Sequence, residues 1–514
     1  MSLKNKQKGF VVKALDRVER VGNKLPDPAV LFVILAFITI VLSFIVSKLN
    51  VSVTYEGYNS ATNAIEEMTV TPFNLLTREG IVYMVTSIVG NFTGFFALGT
   101  VFTIIIGVSV AEGTGFLEVA LKKIVAATPK ALVTSVVVLL GIMSNVASSV
   151  GYVVLVPLGA IVFMAFKRHP IAGLAAAFSG VSGGWTANLL IGSNDPLYAG
   201  ISTQAAQMLD PNYTVLPVAN WYFMIVSTFL ITFIGTWVTD KIVEPRLKPY
   251  VSSGSHVLQD ITLDEKRGMR FAGIATLVYV VTVLLLVLPE NAILRNPSTG
   301  SIIVSPFMSG IIFFMMLLFL IPGLFFGIGA RVLKSNKDVI QLMAKGISSL
   351  SSFMVLIFFA AQFTAFFNKS NLGIILSVSG ANFLESVGFV GLPLLISFVL
   401  LTAFINIFIA VDTAKWAIMA PIFVPMLMRL NLSPELTQAA YRIGDSSTNI
   451  IAPLMPFFVL TVAFFQKYDE DSGIGSVIST MLPYSIFFLV GWILLLSAWY
   501  MLGLPLGPGS PLFY

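Results

Sequence analysis

The chain reads as an all-α integral membrane protein of nine transmembrane helices and two re-entrant helical hairpins, arranged as an inverted repeat. Three observations predict this. Of 514 residues, 56% are hydrophobic and 11% charged, too little polar surface to cover a soluble domain of this length. Two polar stretches echo each other at an offset of 261 residues, Gly183-Gly184-Trp185-Thr186-Ala187-Asn188 against Gly444-Asp445-Ser446-Ser447-Thr448-Asn449. Both read G-x-x-[ST]-x-N, and each asparagine follows another by 43 residues, Asn145 and Asn406 respectively. Finally, Lys and Arg fall in alternate loops, which orients every span.

Taken in order, residues 1–27 form a charged cytoplasmic helix, too long and too mixed for a cleaved signal peptide. Lys13, Arg17, Arg20 and Lys24 precede the first span at 28–49, and the 50–72 loop beyond it has acids but no Lys or Arg. A span at 82–111 returns the chain to Lys122, Lys123 and Lys130 inside. The stretch 131–166 also ends inside, at Lys167-Arg168, and carries Ser144-Asn145 and Ser148-Ser149-Val150-Gly151 at its centre. It reads as a re-entrant hairpin. Spans at 171–201, 220–240, 271–289, 306–329 and 346–367 then alternate. By parity the stretch 391–428 is a second hairpin entering from outside, followed by spans at 437–465 and 480–502. The organisation is a first repeat, 28–240; a linker and connector span, 241–305; a second repeat, 306–502; and a C-terminal tail, 503–514. An odd connector makes the two repeats face opposite ways, and paired polar interruptions in such repeats mark a transporter binding site at the bilayer midplane.

Few ionisable residues lie within the apolar stretches. They are Asp195 in Gly192-Ser193-Asn194-Asp195-Pro196, Asp412 and Lys415 at the second hairpin tip, and Arg442 and Asp445. A charge at the bilayer centre costs roughly 2.5–3.5 kcal/mol on insertion scales, so each should be paired or functional. Spacings of three make Arg442 with Asp445, and Asp412 with Lys415, candidate ion pairs on one helix face. Structural pairing and a substrate or proton role are the two readings of each. Asn145, Asn188, Asn406 and Asn449 are either interhelical hydrogen-bonding glue or candidate Na+ ligands in two oxygen-lined cages. Trp416 is an interfacial anchor or a platform for an aromatic ligand.

The segments Leu15-Asp16-Arg17-Val18-Glu19-Arg20-Val21-Gly22-Asn23-Lys24-Leu25-Pro26, Gly180 to Gly192, Ala414-Lys415-Trp416-Ala417-Ile418-Met419-Ala420-Pro421 and Tyr441 to Ser446 together resemble the p-aminobenzoyl-glutamate transporter (AbgT) family over nearly the whole length. The resemblance implies a homodimer of bowl-shaped subunits in a bacterial inner membrane, with the N-terminus cytoplasmic. It places functional positions on Asp195, Thr413, Trp416, Pro434, Arg442, Asp445 and Pro453, with Ser193 beside the first. It suggests p-aminobenzoyl-glutamate, related folate-catabolite carboxylates or sulfonamide antimetabolites as substrates, with another small dicarboxylate or peptide-like anion as the alternative. Arg442 is then the candidate for the carboxylate and Trp416 for the aryl ring, with Asp445 and Asp195 handling coupling charge and the hairpins moving as an elevator. Ser144-Asn145-Val146 departs at its third position from the Ser-Asn-Thr signature of the similar divalent anion/sodium symporters. The expected coupling ion is Na+ or H+, and no other cofactor is called for.

Other classes find little support. The absence of cysteine removes disulfides and thiol chemistry, and no Gly-Lys dipeptide means no Walker A loop. A net charge of +5, with the basic residues mostly in juxtamembrane loops, implies no nucleic acid. An intramembrane hydrolase would have only the carboxylates Asp195 and Asp445 to work with, since no apolar span contains a His to serve as base and no H-E-x-x-H motif is present. A channel is separable from a carrier by saturation and counterflow.

Overall fold

Long uninterrupted apolar runs favour full-length helices, because a helix satisfies its own backbone groups in hydrocarbon. Among the described residues of this computed structural model, five helices are long and apolar enough to cross a membrane: Ala29–Lys48, Trp221–Arg246, Leu263–Val287, Ile311–Gly329 and Ile474–Leu502. They correspond to spans read from the sequence. Their outward faces carry exposed Phe37, Phe233, Leu277 and Leu494, an apolar girdle suited to lipid. The structure describes residues 28–59, 64–126, 128–147, 151–247, 261–302, 305–409, 411–453, 455 and 457–514. The N-terminal helix read over 1–27, the centre of the hydrophilic linker and the first hairpin tip at 148–150 lie outside them.

The remaining spans depart from single rods. The span expected at 82–111 is two helices, Arg78–Thr93 and Phe96–Gly113, parted at Gly94-Phe95. Its counterpart at 346–367 is likewise divided, into Asn336–Ser349 and Ser351–Lys369. The first helix of each pair is the less apolar, Asn336–Ser349 carrying two lysines and an aspartate, so an average over the whole stretch hides the division. The loop at 50–72 holds an antiparallel strand pair, Val53–Asn59 with Ala64–Val70, a small correction to the all-α reading. A helix at Leu372–Ser386, absent from that reading, corresponds at the repeat offset to the helix Phe116–Ala126. The tail at 503–514 is docked: Tyr222 N–H donates to Leu506 O at 2.9 Å and Ser433 N–H to Leu512 O at 3.0 Å.

One part of the molecule packs Phe96–Gly113 and Leu263–Val287 against Ile311–Gly329, and Pro28–Lys48 against Ser351–Lys369. Phe32 and Phe363 meet there at 5.9 Å between ring centroids. The other part holds the two hairpins and the helices that follow them. Helix pairs in lipid gain by close backbone approach, and each hairpin achieves it at a glycine. A Cβ built on Gly180 would lie 2.3 Å from Val138 O, and one on Gly444 would lie 2.5 Å from Val399 O. Val138 and Val399 are themselves 261 residues apart. An Arg168 network with Thr134, Asp240 and Glu244 anchors the far end of the first hairpin.

Candidate substrate and cation site

Both polar stretches lie on helices that stop inside the protein. The first, Pro170–Phe178, widens into a π-turn at Ser179–Gly183 and then runs irregularly to Asp195, where the helix Asp195–Ala206 begins. Glycines at 180, 183 and 184 weaken the helix there. The second, Pro434–Asn449, gives way to irregular backbone before Phe458–Gln466. Pro453 is buried in that break, and a proline disfavours helical geometry at the residue preceding it. Pro434 opens the same helix at its first turn, where its missing N–H costs nothing. Ser433 caps it by accepting from Leu436 N–H at 3.1 Å. Every residue of Pro434–Asn449 is buried.

The two asparagine pairs occupy matching places. Asn145 Nδ2 donates to Gly184 O at 3.3 Å, and Asn406 Nδ2 donates to Asp445 O at 2.8 Å. Residues 184 and 445 are related by the repeat offset, so one hydrogen bond recurs in both halves. Asn188 Nδ2 donates to Ile142 O at 3.4 Å. At the equivalent carbonyl, Ala403 O, the donor is Thr448 Oγ1 at 3.3 Å.

The amide oxygens differ. In the first centre, Asn145 Oδ1 and Asn188 Oδ1 are buried with no hydrogen-bond partner among the described residues. In the second, Asn449 Oδ1 accepts from Asn406 Nδ2 at 2.8 Å, and Asn406 Oδ1 accepts from Lys415 Nζ. Lys415 Nζ also lies 2.6 Å from Asp445 Oδ1, with both side chains essentially inaccessible. Asn449 Nδ2 donates to the other carboxylate oxygen at 3.2 Å.

These contacts exchange the partners expected from helical spacing. Arg442 pairs with Asp195, 2.6 Å from Nη2 to Oδ1, and Asp445 pairs with Lys415. Sequence spacing of three ranks only neighbours on one helix, whereas the breaks bring other chain segments closer. Asp412 instead accepts from Trp185 Nε1 at 2.7 Å, Tyr198 O–H at 2.6 Å and Thr413 N–H at 2.7 Å. Arg442 stacks over the Tyr198 ring at 4.5 Å, directs Nη1 at Met224 Sδ and leaves Nε without a partner among the described residues. Asp195 also accepts from Gly192 N–H at 2.6 Å, and Gly192 lies beside the backbone of Asn145. A Cβ built on Gly192 would lie 3.5 Å from both Asp195 Oδ2 and Asn145 O.

Trp416 is fully buried. Its ring packs on Tyr441 at 4.5 Å and its N–H donates to Ser202 Oγ at 3.1 Å. Ser202 also accepts from Gln438 Nε2 at 2.8 Å. Tyr441, Tyr198, Gln438 and Trp185 were not singled out in sequence, because an aromatic or amide within an apolar stretch looks like core or glue. Thr413 and Ser193 are half-buried, at the start of a helix and in the turn before Asp195 respectively. A separate cavity of about 490 Å³ opens between Asp195–Ala206 and Ser351–Lys369, lined in part by Asn91, Gln204, Gln207, Thr364 and Asn368. It does not include Arg442 or Trp416.

Apolar outer faces, duplicated helix breaks and charges gathered inside them define a membrane transporter rather than an enzyme. The AbgT transporter family model matches residues 13–514. The chain belongs to that family. It is 39% identical to the p-aminobenzoyl-glutamate transport protein of Escherichia coli K12 over 492 residues, covering 96% of this chain and 95% of that protein. Its structure is similar to that of Neisseria gonorrhoeae MtrF, described as illuminating a class of antimetabolite efflux pumps. The TM-score is 0.90 at 45% identity, covering 97% of this chain and 100% of MtrF. The Alcanivorax borkumensis YdaH transporter is similar as well, with a TM-score of 0.88 at 42% identity, covering 94% of this chain and 100% of that one.

Proposed function

We propose that this protein is a cation-coupled secondary transporter of p-aminobenzoyl-glutamate or a closely related aryl-amide carboxylate. The observation that carries the reading is the placement of Asp195, which binds Arg442 on one side and on the other holds Gly192, the residue beside the Asn145 backbone at the first asparagine centre. A cation held by Asn145 Oδ1 and Asn188 Oδ1 attracts that carboxylate. The Arg442 guanidinium is thereby released to form a two-pronged bond with a substrate carboxylate. Substrate and cation thus favour one and the same arrangement, which is the thermodynamic content of coupling. In this reading the halves have inverted topology, the hairpins and broken helices move together as an elevator against a homodimeric scaffold, and the N-terminus is cytoplasmic.

The test is uptake of labelled p-aminobenzoyl-glutamate into proteoliposomes under imposed Na+ or pH gradients. Accumulation above equilibrium that follows one of these gradients and saturates with substrate is expected. Uptake indifferent to both gradients contradicts the reading. The 45% identity to MtrF favours sulfonamide antimetabolites as additional cargo, moving outward. Expression in a sulfonamide-sensitive strain should then raise the inhibitory concentration, and an Arg442→Lys variant should not.

A further inference from the structure

We propose that Lys415 is a built-in cation: its ammonium occupies, in the second repeat, the position that an exchangeable cation takes in the first. The inference rests on the coupled-transport reading for the first centre only. Its basis is the repeat itself. The same asparagine-to-carbonyl hydrogen bond is present in both halves, so the surrounding backbone is alike. Two of the substitutions between them place charged groups on the asparagines. Lys415 falls on Val154 of the first repeat at the offset of 261, and Asp445 falls on Gly184. At these two positions the second half carries a positive and a negative group where the first half carries neither.

The Lys415 ammonium does what a small hard cation would do. It lies between an amide oxygen, Asn406 Oδ1, and a carboxylate oxygen, Asp445 Oδ1, the donor types that alkali and alkaline-earth cations select. Asn449 and Asn406 complete the cluster by holding each other and the carboxylate. Other charged or titratable groups around Lys415 are the ring of Tyr441, 5.5 Å away, and Asp412, whose carboxylate is already bonded to Trp185 and Tyr198. The ammonium is tethered and cannot leave, so the second centre moves with its own charge already balanced. One exchangeable cation per chain follows, at Asn145 and Asn188.

Removing the tether should convert the second centre into an ion site. The experiment counts bound ²²Na+ per chain in the purified full-length protein, and compares thermal stability in NaCl and choline chloride. Wild type is expected to bind one Na+, Lys415→Ala two, and Lys415→Met one, because the thioether fills the space without supplying charge. The additional ion of Lys415→Ala should persist when Asn145 and Asn188 are both replaced by Ala. A folded Lys415→Ala protein that binds the same number as wild type overturns the proposal. Wild type binding none while Lys415→Ala binds one contradicts the coupling reading for the first centre and leaves this inference standing. Should Lys415→Ala fail to fold, Asn449→Ala in the otherwise wild-type chain decides: an unchanged count of one supports a fixed ammonium, and a lower count overturns it.

Discussion

The first asparagine centre and the second have the same backbone plan but opposite states of completion. At the first, two buried amide oxygens have no partner among the described residues. At the second, the equivalent oxygens accept from Asn406 Nδ2 and Lys415 Nζ. A duplicated scaffold need not carry duplicated chemistry: fixing a charge at one copy makes that copy structural, while the other retains the exchangeable role. The comparison also separates two effects that a mutation can have, loss of fold and loss of ion dependence, and assigns each to a different half.

The largest effect should follow from unpairing the second centre. Asp445→Asn leaves the buried Lys415 ammonium without its counterion, and breaking a buried pair from one side costs about 3–5 kcal/mol. A marked fall in melting temperature in detergent checks it. Replacing both together, Lys415→Met with Asp445→Leu, should recover much of the loss, and an unrecovered double variant would mean that the pair does more than balance charge.

Arg442 comes next. Its partner is Asp195 rather than Asp445, so the informative double replacement is Arg442→Met with Asp195→Leu. If the pair is structural only, that double variant should transport; if Arg442 meets the substrate, it should fold and remain inactive. Arg442→Lys should also be inactive, since an ammonium cannot reproduce the planar fork. Transport by either variant removes Arg442 from the substrate site.

A smaller loss is expected from Gly444→Ala. The added methyl would lie 2.5 Å from Val399 O, and overpacking of this kind costs about 1–3 kcal/mol. Gly99→Ala provides the contrast, because a Cβ there meets nothing within 4 Å. Equal melting temperatures for the two variants would show that the hairpin can move away from its helix at little cost.

The duplication was legible from the sequence because glycines and amides inside apolar stretches are conspicuous, and a fixed offset is a geometric fact about the chain. The long single spans were legible for the same reason: uninterrupted hydrophobicity over enough residues has few alternatives. Partner choice was not legible. Helical spacing joined Arg442 to Asp445, whereas the irregular backbone from 184 to 194 carries Asp195 to Arg442, and the second hairpin tip carries Lys415 to Asp445. Those distances depend on where helices stop and how broken ends meet, which periodicity does not encode. The breaks near Gly94 and Leu350 were not located either, although Asn91, Thr93 and Gly94 at the first and Ser348, Ser349, Ser351 and Ser352 at the second are small or polar, because such residues also occur within unbroken spans. The unequal chemistry of the two halves was nevertheless present at two positions, Val154 against Lys415 and Gly184 against Asp445. Only the shared asparagine bond makes their comparison meaningful.

The most direct test of the asymmetry is the half-saturating Na+ concentration for uptake, measured in wild type, Asn188→Ala and Asn449→Ala. Loss of one oxygen from a charged ligand set costs about 1.5–3 kcal/mol, roughly tenfold or more in affinity. Asn188→Ala should therefore raise the half-saturating concentration about tenfold or more with its melting temperature nearly unchanged. Asn449→Ala should lower the melting temperature and leave the Na+ dependence of the folded protein as it was. Equal shifts in Na+ dependence for both variants would contradict the account, because they would show that both centres exchange a cation.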